Sequence, residues 1–465
     1  MVDQGISANP VAALDLAVPG RIHLIGIGGA GMSAIAVVLA AMGHRVSGSD
    51  LKESAALDRL RALEIEIFVG HAATQVGNCD CVGISTAIPE RNVELAAARA
   101  HGITVLRRAE LLSAICRQRR TLAVSGTHGK TTTTSMLALI LVEAGRNPSF
   151  LIGGEVNEIG TNAVWGVGDE LVVEADESDG TFLTLAPEIA VVTNVEADHL
   201  DFYGSFAQLE ESFSRFMAGA RAGAVVSYDD PIARALAPEG ATTFGFTDGA
   251  QLQICDYVGA RAQISFRLER NGTTLGHFEL PVPGRHNARN AAAAIAVAFR
   301  LGVPLDAAER ALARFAGVAR RFEFRGEFAG ATLVDDYAHL PGELSATLAA
   351  ARQGSWERVV AVFQPHRFSR VQQLANEFAD AFVDADLVVL TDIYPAGEAP
   401  IPGVTTKLIV DAITSSHPGT EVHFLPSRRE LLEFLERQLR RGDCCLTLGA
   451  GDLTGLPDEL IARGG

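Results

Sequence analysis

Residues 121–134, TLAVSGTHGKTTTT, constrain the fold more tightly than any other part of the chain, because an apolar run breaks into a glycine loop and then starts a helix. That order predicts a strand, a phosphate cradle and a helix N-terminus. Gly126 and Gly129 carry no Cβ, so backbone N–H groups can close around an anion while the helix end adds its positive dipole. Lys130 is expected on the β- and γ-phosphates and the Thr131 hydroxyl on Mg2+. The spacing is GxxGK[ST] rather than GxxxxGK[ST], since Val124 stands where the longer loop has its first glycine. Lysine is scarce: Lys52, Lys130 and Lys407 are the only three among 39 Lys+Arg. One kept in this loop is there for its compact ammonium rather than for solubility.

At 465 residues and 48% hydrophobic content, the chain exceeds a single core and is expected to form about two to four domains. A formal net charge of -17 without any basic cluster argues against a nucleic-acid partner. The opening MVDQGISANPVAALDLAVPG lacks a basic n-region and a continuous apolar h-region, so no signal peptide is expected. No apolar run reaches the roughly 18 residues of a membrane span, and the richest, 291–299, reads as a buried helix. Cysteines at 79, 81, 116, 255, 444 and 445 give neither a disulfide framework nor a zinc spacing, and a cytoplasmic protein without membrane insertion is expected.

Residues 21–50 read as a strand, the glycine loop Gly26, Gly28, Gly29 and Gly31, a helix, a second strand and an acidic end at Asp50. This pattern suits any pyrophosphate, whether of NAD, with Asp50 on a ribose, or of a UDP-sugar. Alternation continues through a strand over Cys81–Ile84, a turn from Ser85 to Pro89, a helix over Val93–Ala100 and a strand over 103–106, then a polar junction at 117–120. Past the phosphate loop, residues 153–157 read as a turn. Two apolar strands follow, one ending in Glu174, Asp176, Glu177 and Asp179, the other running into His199 and Asp201. In a parallel sheet both ends would meet the phosphate loop. Strands are expected at 225–228, 243–246 and 263–267, and Asn287 is a candidate cap for the alanine-rich helix. Residues 317–323 read as the hinge to a last domain with four strands, at 332 onward, Arg358–Phe363, Leu387–Leu390 and 444–448, each followed by a helix. The expected domains are 1–118, 119–322 and 323–465, all α/β with largely parallel sheets, Rossmann-like at both ends and P-loop ATPase-like in the middle.

The segments GIGGAGM, STAIP, RRAELL, GTHGKTTT, LIGGEVNEIGTNA, EADESDG, TNVEADHLDFY, GRHNARNA, RRFE, DDYAH, FQPHRFSR, DIYPAGEAPIPG and GAGD occur in that order along nearly the whole chain. Together they resemble the ATP-dependent Mur ligase family of peptidoglycan synthesis, within it the branch that adds L-alanine. The resemblance implies UDP-N-acetylmuramate on the first domain, at Gly26, Gly28, Gly29, Gly31, Asp50, Ser85 and Arg108. It implies ATP on Gly126, Thr127, His128, Gly129, Lys130, Thr131 and Thr132, with His286 and Asn287 at the adenine and Arg321, Asp335 and Asp336 towards the γ-phosphate and ribose. Lys130, Glu174 and His199 are the implied catalytic residues, and Thr131, Glu174 and His199 the implied ligands of two Mg2+ ions. Magnesium prefers oxygen, so His199 enters from the resemblance alone, with proton acceptor as its other role. Tyr337, His339, His366, Arg367 and Arg370 match the group around L-alanine, and a monomer or homodimer is expected.

This branch usually reads DDY-small-HHPTE where the chain has Asp335 to Glu343 as DDYAHLPGE, without the second His and the Thr. Sibling ligases carry a carbamylated lysine shortly after the His, whereas no lysine lies between Lys130 and Lys407. The chemistry suits the residues: a carboxylate becomes an electrophile by phosphorylation, and cations must neutralise two anions as they meet. Three rivals remain at this point. An NAD-dependent oxidoreductase leaves the second phosphate loop unexplained, an ATP-binding switch would show no turnover, and a tripeptide-adding recycling ligase of the same family usually has Tyr where Ser178 stands.

Overall fold

A computed structural model describes residues 15–464. Its first sheet has five strands, β1 (Arg21–Ile25), β2 (Arg45–Asp50), β3 (Glu66–Val69), β4 (Cys81–Ile84) and β5 (Thr104–Arg107), in the order β3-β2-β1-β4-β5. All four pairings are parallel. The strand order reverses beside β1, and the glycine loop follows β1, so the first loop occupies the switch point where open α/β sheets take ligands.

The second sheet starts from β6 (Arg120–Ser125), an apolar strand buried on both faces as parallel strands are. With β7 (Ser149–Val156), β8 (Thr161–Val164), β9 (Glu170–Glu174), β10 (Ile189–Val192) and β11 (Ala224–Ser227) it runs β11-β10-β6-β9-β7-β8. The helix Lys130–Glu143 behind the phosphate loop is buried from Thr131 to Leu141. Its hydroxyls survive there by donating back along the helix, Thr134 to the Lys130 carbonyl at 2.8 Å and Ser135 to that of Thr131 at 2.7 Å. Next come β12 (Thr242–Gly245), β13 (Leu252–Gly259), β14 (Ile264–Arg270) and β15 (Thr273–Leu280), of which β13, β14 and β15 form an antiparallel meander. The third sheet comprises β16 (Glu323–Phe328), β17 (Ala331–Asp336), β18 (Arg358–Phe363), β19 (Leu387–Leu390), β20 (Glu421–Phe424) and β21 (Asp443–Leu448), ordered β16-β17-β21-β18-β19-β20. Only β16 runs antiparallel to its neighbour. The architecture is three-domain α/β with mostly parallel sheets.

By compactness the described chain divides into two units. One runs to Gly154 and includes Thr161–Thr243 and Ala296–Val303; the other comprises Glu155–Gly160, Phe244–Ile295 and Pro304 onward. The first unit holds both the first sheet and the phosphate-loop sheet on one continuous core, in which Leu24, Ile35 and Leu39 join Leu151, Val173 and Phe182. The junction at 117–120 thus separates two sheets without separating two cores.

Several expectations are corrected. Residues 153–156 are strand rather than turn, since β7 runs to Val156. The meander strands β13 and β15, and the edge strands β16 and β20, carry mixed polar and apolar residues and gave no clear alternation. Asn287 is not a cap: it lies inside the helix Arg285–Arg300, and its side-chain amide donates to the Pro283 carbonyl at 2.7 Å.

Candidate active site

The phosphate loop is laced to the end of β10. Thr127 N–H donates to the Asn194 carbonyl at 3.2 Å, His128 N–H to the Asn194 side chain at 2.8 Å, and Glu196 N–H to the Thr127 hydroxyl at 2.8 Å. Gly126 sits at φ 135°, and a Cβ there would lie 2.1 Å from Thr193 Oγ1, so only glycine lets the loop lie this close to its neighbour strand. Gly129 takes φ 78° and starts the helix. Thr132 is buried within its first turn.

Lys130 folds onto its own loop. Its Nζ donates to the Gly126 carbonyl at 2.7 Å, the Thr127 carbonyl at 3.2 Å and Glu177 at 2.9 Å. Burial works against the ammonium, yet Glu177, Asp176 and Glu174 outweigh it and raise its pKa. Burial pushes Glu177 up to about 7 against the pull of Lys130. Thr131 Oγ1 donates to Glu174 at 3.1 Å, and the other Glu174 oxygen accepts from Gly153 N–H at 2.7 Å. These donors are hard oxygens, and Glu177 Oε2 is buried with no hydrogen-bond partner, which suits Mg2+ held by one or two carboxylates and phosphate oxygens. Among the described residues no group of three or more His, Cys, Asp or Glu is arranged to hold a metal by itself.

His199 stands at φ 55° and its Nε2 lies 3.2 Å from Asp198. Its carbonyl accepts from Tyr203 N–H, and the Tyr203 hydroxyl donates to the Glu177 carbonyl, so the His199 turn is fastened to the strand end beside Lys130.

In the first loop, Asp50 accepts from Gly28 N–H at 2.8 Å, and a Cβ on Gly28 would strike that carboxylate at the same distance. Asp50 therefore shapes the loop. Ser85 packs on Gly26, where a Cβ would come within 3.0 Å of its own. Gly29 precedes the helix Ala30–Ala41, and the Arg108 guanidinium lies 3.3 Å from where a Gly31 Cβ would be. Arg108 also reaches Asp176 at 3.8 Å. The outcome is one cavity of ≈ 200 Å³ whose wall includes Gly31 and Arg108 on one side and Gly153, Glu174 and Asp176 on the other. The helix that leaves the first glycine loop and the acidic end of β9, whose Glu174 holds the Thr131 hydroxyl, thus border a common space.

The remaining predicted residues lie in the other unit. Asp335 accepts from the hydroxyls of Thr447 and Thr454, both at 2.7 Å, and Asp336 from the N–H groups of Phe322 at 2.7 Å and Ala338 at 2.8 Å. Both carboxylates are engaged in holding the β17 end, and burial pushes Asp336 up to about 6. Arg321 faces Tyr337, 5.3 Å from its ring, and Glu343 at 3.8 Å. Burial, with Arg289 and Arg321 nearby, lowers His286 to about 4. Tyr337, His339, His366 and Tyr394 form a chain of rings, each 5.4–5.7 Å from the next. Arg370 is 3.1 Å from His366 Nδ1, and Arg367, at φ 71°, donates its N–H to the Tyr394 carbonyl. Burial first, then His339, Arg370 and Arg367, lower His366 to about 4. Glu343 accepts from His339 N–H at 2.9 Å.

Sequence reasoning missed Glu177 and Gly153 as site residues. Glu177 was visible within EADESDG only as one of several acids, and Gly153 became legible once β7 was seen to continue past it.

Comparison with known proteins agrees with this geometry. The family models described as "Mur ligase family, catalytic domain", "Mur ligase middle domain" and "Mur ligase, glutamate ligase domain" match residues 21–120, 124–298 and 320–451. The chain is 46% identical over 450 residues to the UDP-N-acetylmuramate--L-alanine ligase of Pelotomaculum thermopropionicum, covering 95% of this chain and 97% of that one. To the enzyme of the same name from Rubrobacter xylanophilus it is 47% identical over 455 residues, covering 95% and 100%. Among solved structures, the UDP-N-acetylmuramate-alanine ligase of Thermotoga maritima superposes with a TM-score of 0.80 at 32% identity, covering 96% of this chain and 99% of that one. Three consecutive family matches and this degree of identity lead to one conclusion: the chain belongs to the Mur ligase family.

Proposed function

We propose that this protein is the ATP-dependent ligase that joins L-alanine to the lactyl carboxylate of UDP-N-acetylmuramate in cytoplasmic peptidoglycan synthesis, giving UDP-N-acetylmuramoyl-L-alanine, ADP and phosphate, and that it acts as a monomer or homodimer. The observation that carries the reading is the cavity walled by Gly31 and Arg108 from the sugar-nucleotide side and Glu174 and Asp176 from the phosphate-loop side. ATP, when bound, would supply the phosphoryl group that turns the carboxylate into an acyl phosphate, and Mg2+, when bound, would offset the negative charge of the phosphates.

The chain's own residues do the positioning. Residues 126–132 bind the phosphates through backbone N–H groups, and Lys130 brings a fixed positive charge to the transferring group. Thr131 and Glu174 would hold one Mg2+, and a second ion towards His199 belongs to the same proposal. Arg108 orients the sugar's carboxylate by a guanidinium fork at the cavity wall. His286 and Asn287 are assigned to the adenine, Arg321 to the γ-phosphate, and Tyr337, His339, His366, Arg367 and Arg370 to L-alanine. The attacking amine must be neutral, and the alternative role we assign to His199, in place of holding the second ion, is that of its proton acceptor, with Nε2 3.2 Å from Asp198.

The test is phosphate release from ATP with each substrate omitted in turn. Release that needs UDP-N-acetylmuramate and L-alanine together is expected. Release with no amino acid present, or oxidation of a nicotinamide cofactor instead, would overturn the proposal.

A further inference from the structure

The proposed chemistry gives no role to Arg320, a strained residue in the turn before the third sheet. It takes φ 60°, a left-handed conformation that is costly for any residue with a Cβ and persists where the surroundings over-determine it. Its backbone is held at both ends, the N–H donating to Glu323 at 2.8 Å and the carbonyl accepting from Tyr337 N–H at 2.8 Å. The side chain is held as firmly. Nε donates to Asp335 at 3.2 Å, Nη2 donates to the Gly449 carbonyl at 2.7 Å, and the guanidinium carbon lies over the Tyr337 ring, 4.9 Å from its centre.

Asp335 closes β17 and Gly449 follows the neighbouring parallel strand β21, so the guanidinium bridges two carboxyl strand ends, the edge where such sheets take ligands. The Asp335 side chain is 1% exposed, and both its oxygens accept within this unit, Oδ1 from Thr447 and Oδ2 from Thr454 and Arg320. It therefore meets a ligand only through Arg320. In an extended chain successive side chains point to opposite sides, whereas this turn brings two consecutive arginines onto one ring, the Arg321 guanidinium lying 5.3 Å from the same Tyr337 centre. The strain has a geometric product: Tyr337 is fixed by a backbone hydrogen bond and by cation–π contact from the same residue.

We infer that Arg320, anchored by Asp335 and the Gly449 carbonyl, is the positioning residue that sets the Tyr337 ring for L-alanine. The inference rests on the reading that places L-alanine beside Tyr337. Tyr337 opens the chain of rings that continues through His339 and His366 to Tyr394, and packed rings pass a displacement from one to the next.

The deciding variant is Arg320→Gly in the full-length protein. Glycine takes the positive φ without strain and keeps the carbonyl for Tyr337 N–H, so only the guanidinium is removed. Its KM for L-alanine should rise by about ten-fold or more, with KM for UDP-N-acetylmuramate unchanged. Arg320→Lys keeps a cation but not the planar fork; it should show part of the same rise, and it carries the test if glycine at this turn prevents folding. A double-mutant cycle with Tyr337→Leu separates positioning from mere support of the turn. If Arg320 acts through Tyr337, adding Arg320→Gly to Tyr337→Leu raises KM for L-alanine no further. A rise of the same size in both backgrounds, or a lower melting temperature with KM for both substrates rising together, overturns the inference. So does an unchanged KM for L-alanine in Arg320→Gly and Arg320→Lys while Tyr337→Leu raises it, which leaves the placing of L-alanine intact. An unchanged KM for L-alanine in Tyr337→Leu itself overturns that placing and the inference with it.

Discussion

Lys130 is the residue on which the proposed phosphoryl transfer turns, because it brings a fixed cation to the loop and is held there by Glu177 and two carbonyls. Lys130→Ala is expected to lower alanine-dependent phosphate release by about 10²–10³-fold or more, the scale of losing one preorganised charge donor. A coupled phosphate assay at saturating substrates checks it. Gly126→Ala tests the backbone instead of the charge. At φ 135° with Thr193 Oγ1 2.1 Å and the Asn194 carbonyl 3.0 Å from the new Cβ, the loop must shift, at a cost of about 1–3 kcal/mol from conformation alone. Lower melting temperature together with lost ATP binding is the expected result. The loop was legible in the sequence because everything that defines it is local. Glu177 was not, since it lies 47 residues from Lys130 along the chain and the two meet only in three dimensions.

At the scale of elements, the continuation of β7 through Gly153 matters most. It sets Gly153 N–H 2.7 Å from one Glu174 oxygen while Thr131 holds the other. A Cβ at Gly153 would fall 2.7–2.9 Å from that carboxylate. Gly153→Ala should displace the tip of a side chain rather than the backbone, so it is expected to reduce turnover by about ten-fold with a small change in melting temperature. Equal losses of both would mean that the strand itself had failed. The parallel strands, apolar on both faces, announced themselves in the sequence. The meander and the edge strands did not, because half-exposed strands with interrupted alternation look like loops. Arg320 and Phe322 carry positive φ in the 317–323 turn without being glycine, a strain that no composition rule reveals.

For the molecule as a whole, two predictions concern what the fold does without. Among the described residues no metal cluster holds the chain together, so EDTA should abolish turnover while leaving the melting temperature of the protein alone unchanged. Acid should act through His286 and His366, both lowered to about 4. Because the unfolded chain binds these protons near 6.5 and the native one resists them, their contribution to stability falls as pH drops from about 6.5 to 4. Glu177 and Asp336, raised to about 7 and 6, tilt the other way, so the sign is read by difference. Wild type should lose more stability than His366→Asn between pH 7 and 4.5, measured as urea midpoints.

The hydrophobic interior shared by the first two sheets carries a consequence for recombination. The helix Ala30–Ala41 packs on β8, and Ile35 belongs with Leu151 and Val173 to the same interior. Chimeras spliced between relatives at residue 120 would join side chains that never adapted to one another. Splices made past Ala241 would leave that interior whole, so lineages that exchange gene segments should keep residues 21–241 as a single heritable block.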